Sequence, residues 1–132
     1  MKKITAIAAI MLIAACTRTP NNIDDNKVFF AFDSAEISSA SKSELNAQSR
    51  YMKKNADTTV VLEGHCDERG STEYNLALGA LRAGNAAHTM IREGIESNRI
   101  KTISYGKEKP QYPGTGEEVW QKNRNVTTRV KK

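Results

Sequence analysis

The sequence predicts an α+β domain, a layered sheet with helices packed on one side. Two kinds of segment predict it. Four short runs have the apolar or β-branched character of strands, and the segments between them show helical spacing. The two kinds alternate in the order βαβαβαβ, and a helix joining successive strands places helices against a sheet.

Val28 to Phe32 is a short apolar strand candidate. Ser41 to Asn55 reads as a helix, because Leu45, Gln48 or Ser49, and Met52 form a modest stripe at helical spacing. Thr58 to Gly64 is the clearest strand, opening on the β-branched Thr58, Thr59, Val60 and Val61. Ser71 is a candidate N-cap, with Glu73 in the first turn of a long helix that runs to about Glu93 and ends at Gly94. Leu76, Ala80, Ala83, Ala87 and Met90 recur at steps of 4, 3, 4 and 3 and predict one narrow face. The small alanines on that face predict close helix–sheet contact. Ile100 to Tyr105 reads as a third strand, Glu117 to Asn123 as a short helix, and Asn125 to Val130 as a fourth strand.

With 132 residues the chain is long enough for one domain. Its first 15 residues stand apart. Lys2 and Lys3 form a positive n-region, and Ile4 to Ala14 is an apolar stretch broken only by Thr5. This is a secretory signal, too short for a permanent span of about 20 residues. Ile13-Ala14-Ala15-Cys16 has the form of a bacterial lipobox, which makes Cys16 the acylated new N-terminus. Several acyl chains, at about 0.8 kcal/mol per buried methylene, form a durable anchor. Thr17, and not aspartate, follows the cysteine and favours the outer membrane. The expected organisation is a signal peptide over 1–15, an acylated N-terminus with a short polar linker over 16–27, and a domain over 28–132. The linker's 12 residues reach at most about 40 Å.

Loss of Lys2 and Lys3 lowers the formal charge from +5 to +3. That mild excess argues against nucleic acid, which calls for a dense basic stripe. Arg129-Val130-Lys131-Lys132 reads as a solvated tail. With Cys16 acylated, Cys66 stands alone and reads as a half-buried small residue at a strand end.

The chemistry concentrates in Glu63-Gly64-His65-Cys66-Asp67-Glu68-Arg69-Gly70-Ser71 and the helix that follows. A strand ends at Gly64, a polar turn carries Asp67, and the helix places Arg82 about three turns on. A carboxylate holds an ammonium group, and a guanidinium fork holds a carboxylate through two parallel hydrogen bonds. Together they match a zwitterionic amino-acid terminus. The plain alternative is that Asp67 and Arg82 pair with each other or with solvent.

His65-Cys66-Asp67-Glu68-Arg69-Gly70 with Glu73-Tyr74-Asn75 resembles the signature loop of the peptidoglycan-associated lipoproteins, in the OmpA C-terminal-like family. Ser104-Tyr105-Gly106-Lys107-Glu108-Lys109-Pro110 is similar to a second family segment, Phe30-Ala31-Phe32-Asp33 to its first strand and turn, and Lys122-Asn123-Arg124 to its last motif. The resemblance covers Val28 to Val130 and implies an OmpA-like domain: a four-stranded mixed sheet with two long helices on one face. It implies non-covalent binding of the meso-diaminopimelate stem peptide of peptidoglycan. In that role Asp67 would take the ammonium and Arg82 the carboxylate. Asp33, Ser71 and Leu78 would line the same pocket, and Asn75 and Arg124 would brace it. It also implies an outer-membrane tether facing the periplasm. The partners would be TolB and other Tol–Pal components, acting in envelope integrity and cell division.

Three positions depart from the family. Cys66 replaces alanine or threonine, Leu81 replaces an arginine before Arg82, and Asn125 replaces a second arginine after Arg124. The last two changes remove positive charge near the expected site.

No cofactor or metal is expected. The main rival is a wall hydrolase using Cys66, His65 and Asp67, but adjacent strand residues point to opposite faces. A metal site from His65, Asp67, Glu68 and His88 lacks paired-ligand spacing, and a lone histidine beside a glycine reads as a structural hydrogen-bonder. Two binding-class rivals are an OmpA-like lipoprotein outside the Tol–Pal system and a lipoprotein that has lost wall binding.

Overall fold

A computed structural model describes residues 18–131. The signal peptide and the lipobox with Cys16 lie outside the described residues. The elements are β1 (Lys27–Phe29), α1 (Ser39–Lys54), β2 (Thr59–His65), α2 (Thr72–Arg92), a 3-10 turn (Ser97–Arg99), β3 (Ile100–Gly106), α3 (Glu117–Asn123) and β4 (Asn125–Lys131). The sheet order is β1-β4-β2-β3. β2 and β3 are parallel, and β4 runs antiparallel to both β1 and β2, so the sheet is mixed. None of the described helices is long and apolar enough to cross a membrane.

Local chemistry starts both long helices. Ser38 caps α1 by accepting from the Ser41 N–H, and Ser71 caps α2 by accepting from the Tyr74 N–H, each at 3.1 Å. Each cap satisfies a donor that the first turn otherwise leaves open. α1 buries Ser41, Leu45, Gln48, Ser49 and Met52, the expected stripe. α2 keeps its expected face at Ala83, Ala87 and Met90 and departs from it only in its first turns. It buries Asn75, Leu78, Gly79, Arg82, Ala83, Ala86, Ala87 and Met90, whereas Leu76 and Ala80 are exposed.

Close approach of helix and sheet sets that rotation. A Cβ on Gly64 would lie 1.9 Å from the Gly79 carbonyl oxygen, and one on Gly79 would lie 2.3 Å from the Ser104 hydroxyl. Two glycines in register let α2 sit directly on β2. The core between them holds Val60, Leu62, Ala83, Met90 and Ile100, with Leu45 and Met52 from α1.

Two terminal readings are corrected. The polar segment before β1 is partly docked. Ile23 is fully buried in the core, and backbone hydrogen bonds join Asp25 and Asn26 to Thr128. Apolar burial and strand-like pairing outweigh the polar residues around it. The basic C-terminal run is not a loose tail, since β4 continues to Lys131 and Arg129 bridges Glu63 and Asp25.

Candidate functional site

The chain leaves β2 at His65 and enters α2 at Thr72 through a short polar turn. That turn, the loop after β1 and the first turns of α2 enclose a pocket of about 110 Å³. Its walls are Phe32, Asp33, Cys66, Asp67, Arg69, Gly70, Tyr74, Asn75, Leu78 and Arg82. Asp33, Asp67, Asn75, Leu78 and Arg82 therefore come together from three separate segments. Ser71 and Arg124 do not line it. Ser71 is exposed and uses its hydroxyl as the helix cap. Arg124 reaches the carboxylate of Asp67 from β4's edge, at 3.4 Å, and donates to the Phe30 carbonyl at 2.9 Å and Glu117 at 2.9 Å.

Asp67 is 4 % exposed and heavily engaged. Arg69 donates to it three times, through its backbone N–H at 3.0 Å, Nε at 3.1 Å and a terminal nitrogen at 2.9 Å. With Arg124, donors fill all of the roughly four acceptor positions of a carboxylate. Burial pushes the Asp67 carboxyl up, but the Arg69 and Arg124 donors outweigh it and hold it below the usual carboxylate range. The Arg69 guanidinium is sandwiched between the rings of Phe32 (3.9 Å) and Trp120 (4.1 Å), with Glu117 4.0 Å away.

Arg82 is 1 % exposed. It donates to three carbonyls: Ser34 at 2.8 Å, His65 at 3.0 Å and Ala31 at 3.1 Å. Three of its five guanidinium N–H groups are thereby engaged by the framework. Burial lowers its pKa from the usual arginine value. Asp33 is the exposed carboxylate of the pocket. It sits in the left-handed region (φ 55), and one of its oxygens accepts from the Tyr74 hydroxyl. Asn75 ties the turn together by donating to the carbonyls of Arg69 and Ser71 at 2.8 and 2.9 Å. Lys107, from the segment after β3, holds the Gly70 carbonyl at 2.6 Å.

Arg69, Tyr74 and Phe32 stand in the quoted motifs but were given no role there. Trp120 and Glu117 carried no sequence signal, because only the fold brings α3 beside the turn. Of the three departed positions Cys66 lines the pocket, whereas Leu81 and Asn125 do not. Leu81 is 59 % exposed. Asn125 is fully buried and bonds to Gln111, Lys122 and Thr127. Its replacement thus acts on a loop tie and not on the pocket's charge.

Cys66 is buried and not half-buried. It is 3 % exposed, its thiol donates to the Asn75 carbonyl, and burial pushes its pKa up. A protonated, enclosed thiol is a poor nucleophile. His88 lines a different groove, with Glu36, Lys42 and Asn85. Among the described residues no group of three metal-ligating side chains gathers.

His65 is not the hydrogen-bonder the sequence suggested. Its ring is buried beside Tyr105, and among the described residues neither ring nitrogen has a hydrogen-bond partner. Burial lowers its pKa, despite Glu63 at 3.9 Å. The unfolded chain therefore binds the proton more readily. Its contribution is neutral above the unfolded value of about 6.5 and turns destabilising as pH falls below it. Thermal unfolding at pH 7.5 and 5.5 should show a loss in wild type that is smaller in His65→Gln; equal losses would exclude this residue as the source.

The OmpA family profile matches residues 29–124. A peptidoglycan-associated lipoprotein of Mesorhizobium japonicum is 35% identical over 93% of this chain and 88% of its own length. One from Rhizobium meliloti is 37% identical over 92% and 72%. The chain belongs to the OmpA family, in its peptidoglycan-associated lipoprotein branch. The fold agrees with the family. The crystal structure of the peptidoglycan-associated lipoprotein from Burkholderia pseudomallei superposes with a TM-score of 0.77 at 32% identity, covering 80% of this chain and 89% of that one. The C-terminal domain of Helicobacter pylori MotB shares the fold with a TM-score of 0.75 at 20% identity, covering 81% and 84%.

Proposed function

We propose that this chain is a non-catalytic outer-membrane lipoprotein that grips the meso-diaminopimelate stem peptide of peptidoglycan. Lipid on Cys16 holds the membrane, and the domain holds the wall as part of a Tol–Pal assembly that includes TolB. The observation that carries the reading is the convergence of Asp33, Asp67 and Arg82 on one small pocket. Carboxylates and a guanidinium on facing walls match a terminus bearing an amine and a carboxylate on one carbon. The membership of the branch supports the same ligand class.

The filled acceptor positions of Asp67 add a step. An incoming ammonium competes with Arg69 for that carboxylate. Glu117, 4.0 Å from Arg69, offers the displaced guanidinium a second acceptor. The exposed carboxylate of Asp33 meets the ammonium first. Arg69→Ala removes the competitor and should tighten binding of a diaminopimelate muropeptide roughly 3- to 10-fold by calorimetry, because more of the protein is then competent. Weaker binding in that variant would make Arg69 a ligand contact.

The overall reading is tested by sedimentation with two wall types. Wild type should be retained by diaminopimelate peptidoglycan and poorly by lysine-type wall, which lacks the second carboxylate. Asp67→Asn keeps the shape of the side chain and should lose roughly 10- to 150-fold in affinity, the worth of a charge-assisted contact. Equal retention of wild type on both walls would overturn the ligand assignment.

A further inference from the structure

The end of the sheet opposite the pocket carries a surface that the wall-binding reading does not use. The pocket lies where β2 ends and α2 begins. The seven residues of β2 separate it by about 20 Å from the end formed by the C-termini of α1 and β4. Lys53 and Lys54 close α1 there, Arg50 lies one turn earlier, and Lys131 closes β4. Lys54 and Lys131 flank one shallow surface groove with Asp57 between them. Lys53 reaches the turn at Gly94 that follows α2. Arg99 adds a further cation, donating to the carbonyls of Met52, Asn55 and Thr58. The acids at this end are Asp24, Asp57, Glu93 and Glu96, and Asp24 is engaged by the Val130 N–H. Among the described residues, Arg18, Arg50, Lys53, Lys54 and Lys131 form no ion pair.

The path of the chain places this end near Arg18, where the described residues begin. The Arg18 carbonyl accepts from Arg50 at 3.4 Å, and Ile23 is locked in the core. Cys16 precedes Arg18 by two residues, a reach of at most about 7 Å. Charges in water are screened over about 8 Å at physiological ionic strength. A group anchored at Cys16 therefore holds the basic end within the range where its charge is felt.

We propose that the basic end formed by Arg18, Arg50, Lys53, Lys54 and Lys131 rests on acidic phospholipid headgroups. The domain then stands on the membrane with its pocket directed away from it. This placement rests on the acylation of Cys16 proposed above. The lipid supplies proximity, and the cations supply orientation. Each basic residue close to an anionic surface strengthens attraction about five-fold, and tethering removes the cost of the first encounter.

The test uses the purified full-length lipoprotein in vesicles of phosphatidylcholine, alone or with about one-third phosphatidylglycerol, with an amine-acetylating reagent and mass spectrometry as readout. Acetylation of Lys53, Lys54 and Lys131 should slow roughly 3- to 5-fold in the acidic vesicles. Lys107 and Lys109, at the pocket end, should label equally in both. High salt should abolish the protection without releasing the protein. The double variant Lys53→Glu with Lys54→Glu should lose the protection at Lys131. Equal labelling of both ends in both vesicle types, with the protein still attached, would overturn the proposal. An N-terminal peptide without acyl mass would instead refute the anchor, and with it this placement.

Discussion

Arg82→Ala should lower folding stability by about 3–5 kcal/mol, read as a large drop in the urea midpoint. The side chain is almost wholly buried and donates to the carbonyls of Ala31, Ser34 and His65. Those carbonyls belong to the loop after β1 and to the end of β2, so one guanidinium fastens three walls of the pocket. Truncation strands buried acceptors and leaves a cavity, and each stranded group costs about 1–3 kcal/mol. A domain with about 5–15 kcal/mol in total would retain little margin. Arg82→Lys keeps the charge but not the fork, and should fall between alanine and wild type. A midpoint within experimental error of wild type for Arg82→Ala would refute the structural role. The consequence for function is direct. Under the proposed wall-binding role, loss of binding in Arg82→Ala would report the pocket's framework as well as the proposed ligand contact, whereas Asp67→Asn preserves the side chain's shape.

Gly64→Ala and Gly84→Ala should move stability in opposite directions. At Gly64 the added methyl would lie 1.9 Å from the Gly79 carbonyl oxygen and 2.6 Å from its carbon. Both are backbone atoms of α2, so the helix itself must lift from the sheet. Overpacking of this kind costs about 3 kcal/mol or more. The pocket should widen with it, because α2 supplies Tyr74, Asn75, Leu78 and Arg82. At Gly84, in the same helix, a methyl meets nothing within 4 Å. There alanine should stabilise by about 0.5–1 kcal/mol through helix propensity. Thermal unfolding of the two variants settles the comparison; similar shifts would deny the close helix–sheet approach.

These two expectations mark different kinds of legibility. The alternation of strand and helix followed from local pattern. β-branched residues announced β2, and Ser71 announced the start of α2 through chemistry contained within four residues. The resemblance of separated motifs implies that Asp33, Asp67 and Arg82 share one pocket. The second half of the α2 face, Ala83, Ala87 and Met90, is legible in the spacing, whereas in the first turns Leu76 fits the apolar period as well as Leu78 does. Only contact with Gly64 on another element selects the rotation. The polar run before β1 concealed Ile23, since one apolar residue among asparagines and aspartates has no period to reveal it.

The electrostatic state of the site was also out of reach. A sequence supplies Asp67 and Arg69 two residues apart, but not the rings of Phe32 and Trp120 that clamp the guanidinium over the carboxylate. Nor does it supply Arg124 arriving from the junction of α3 and β4. By itself the sequence determined the order of elements, the cap of α2 and the residue types that the pocket contains. These rest on interactions between near neighbours in the chain. The tertiary structure decided which donors already occupy those groups, which face the first turns of α2 bury and which end of the domain Arg18 meets. Those depend on distances between segments far apart in sequence, which short-range patterns do not encode.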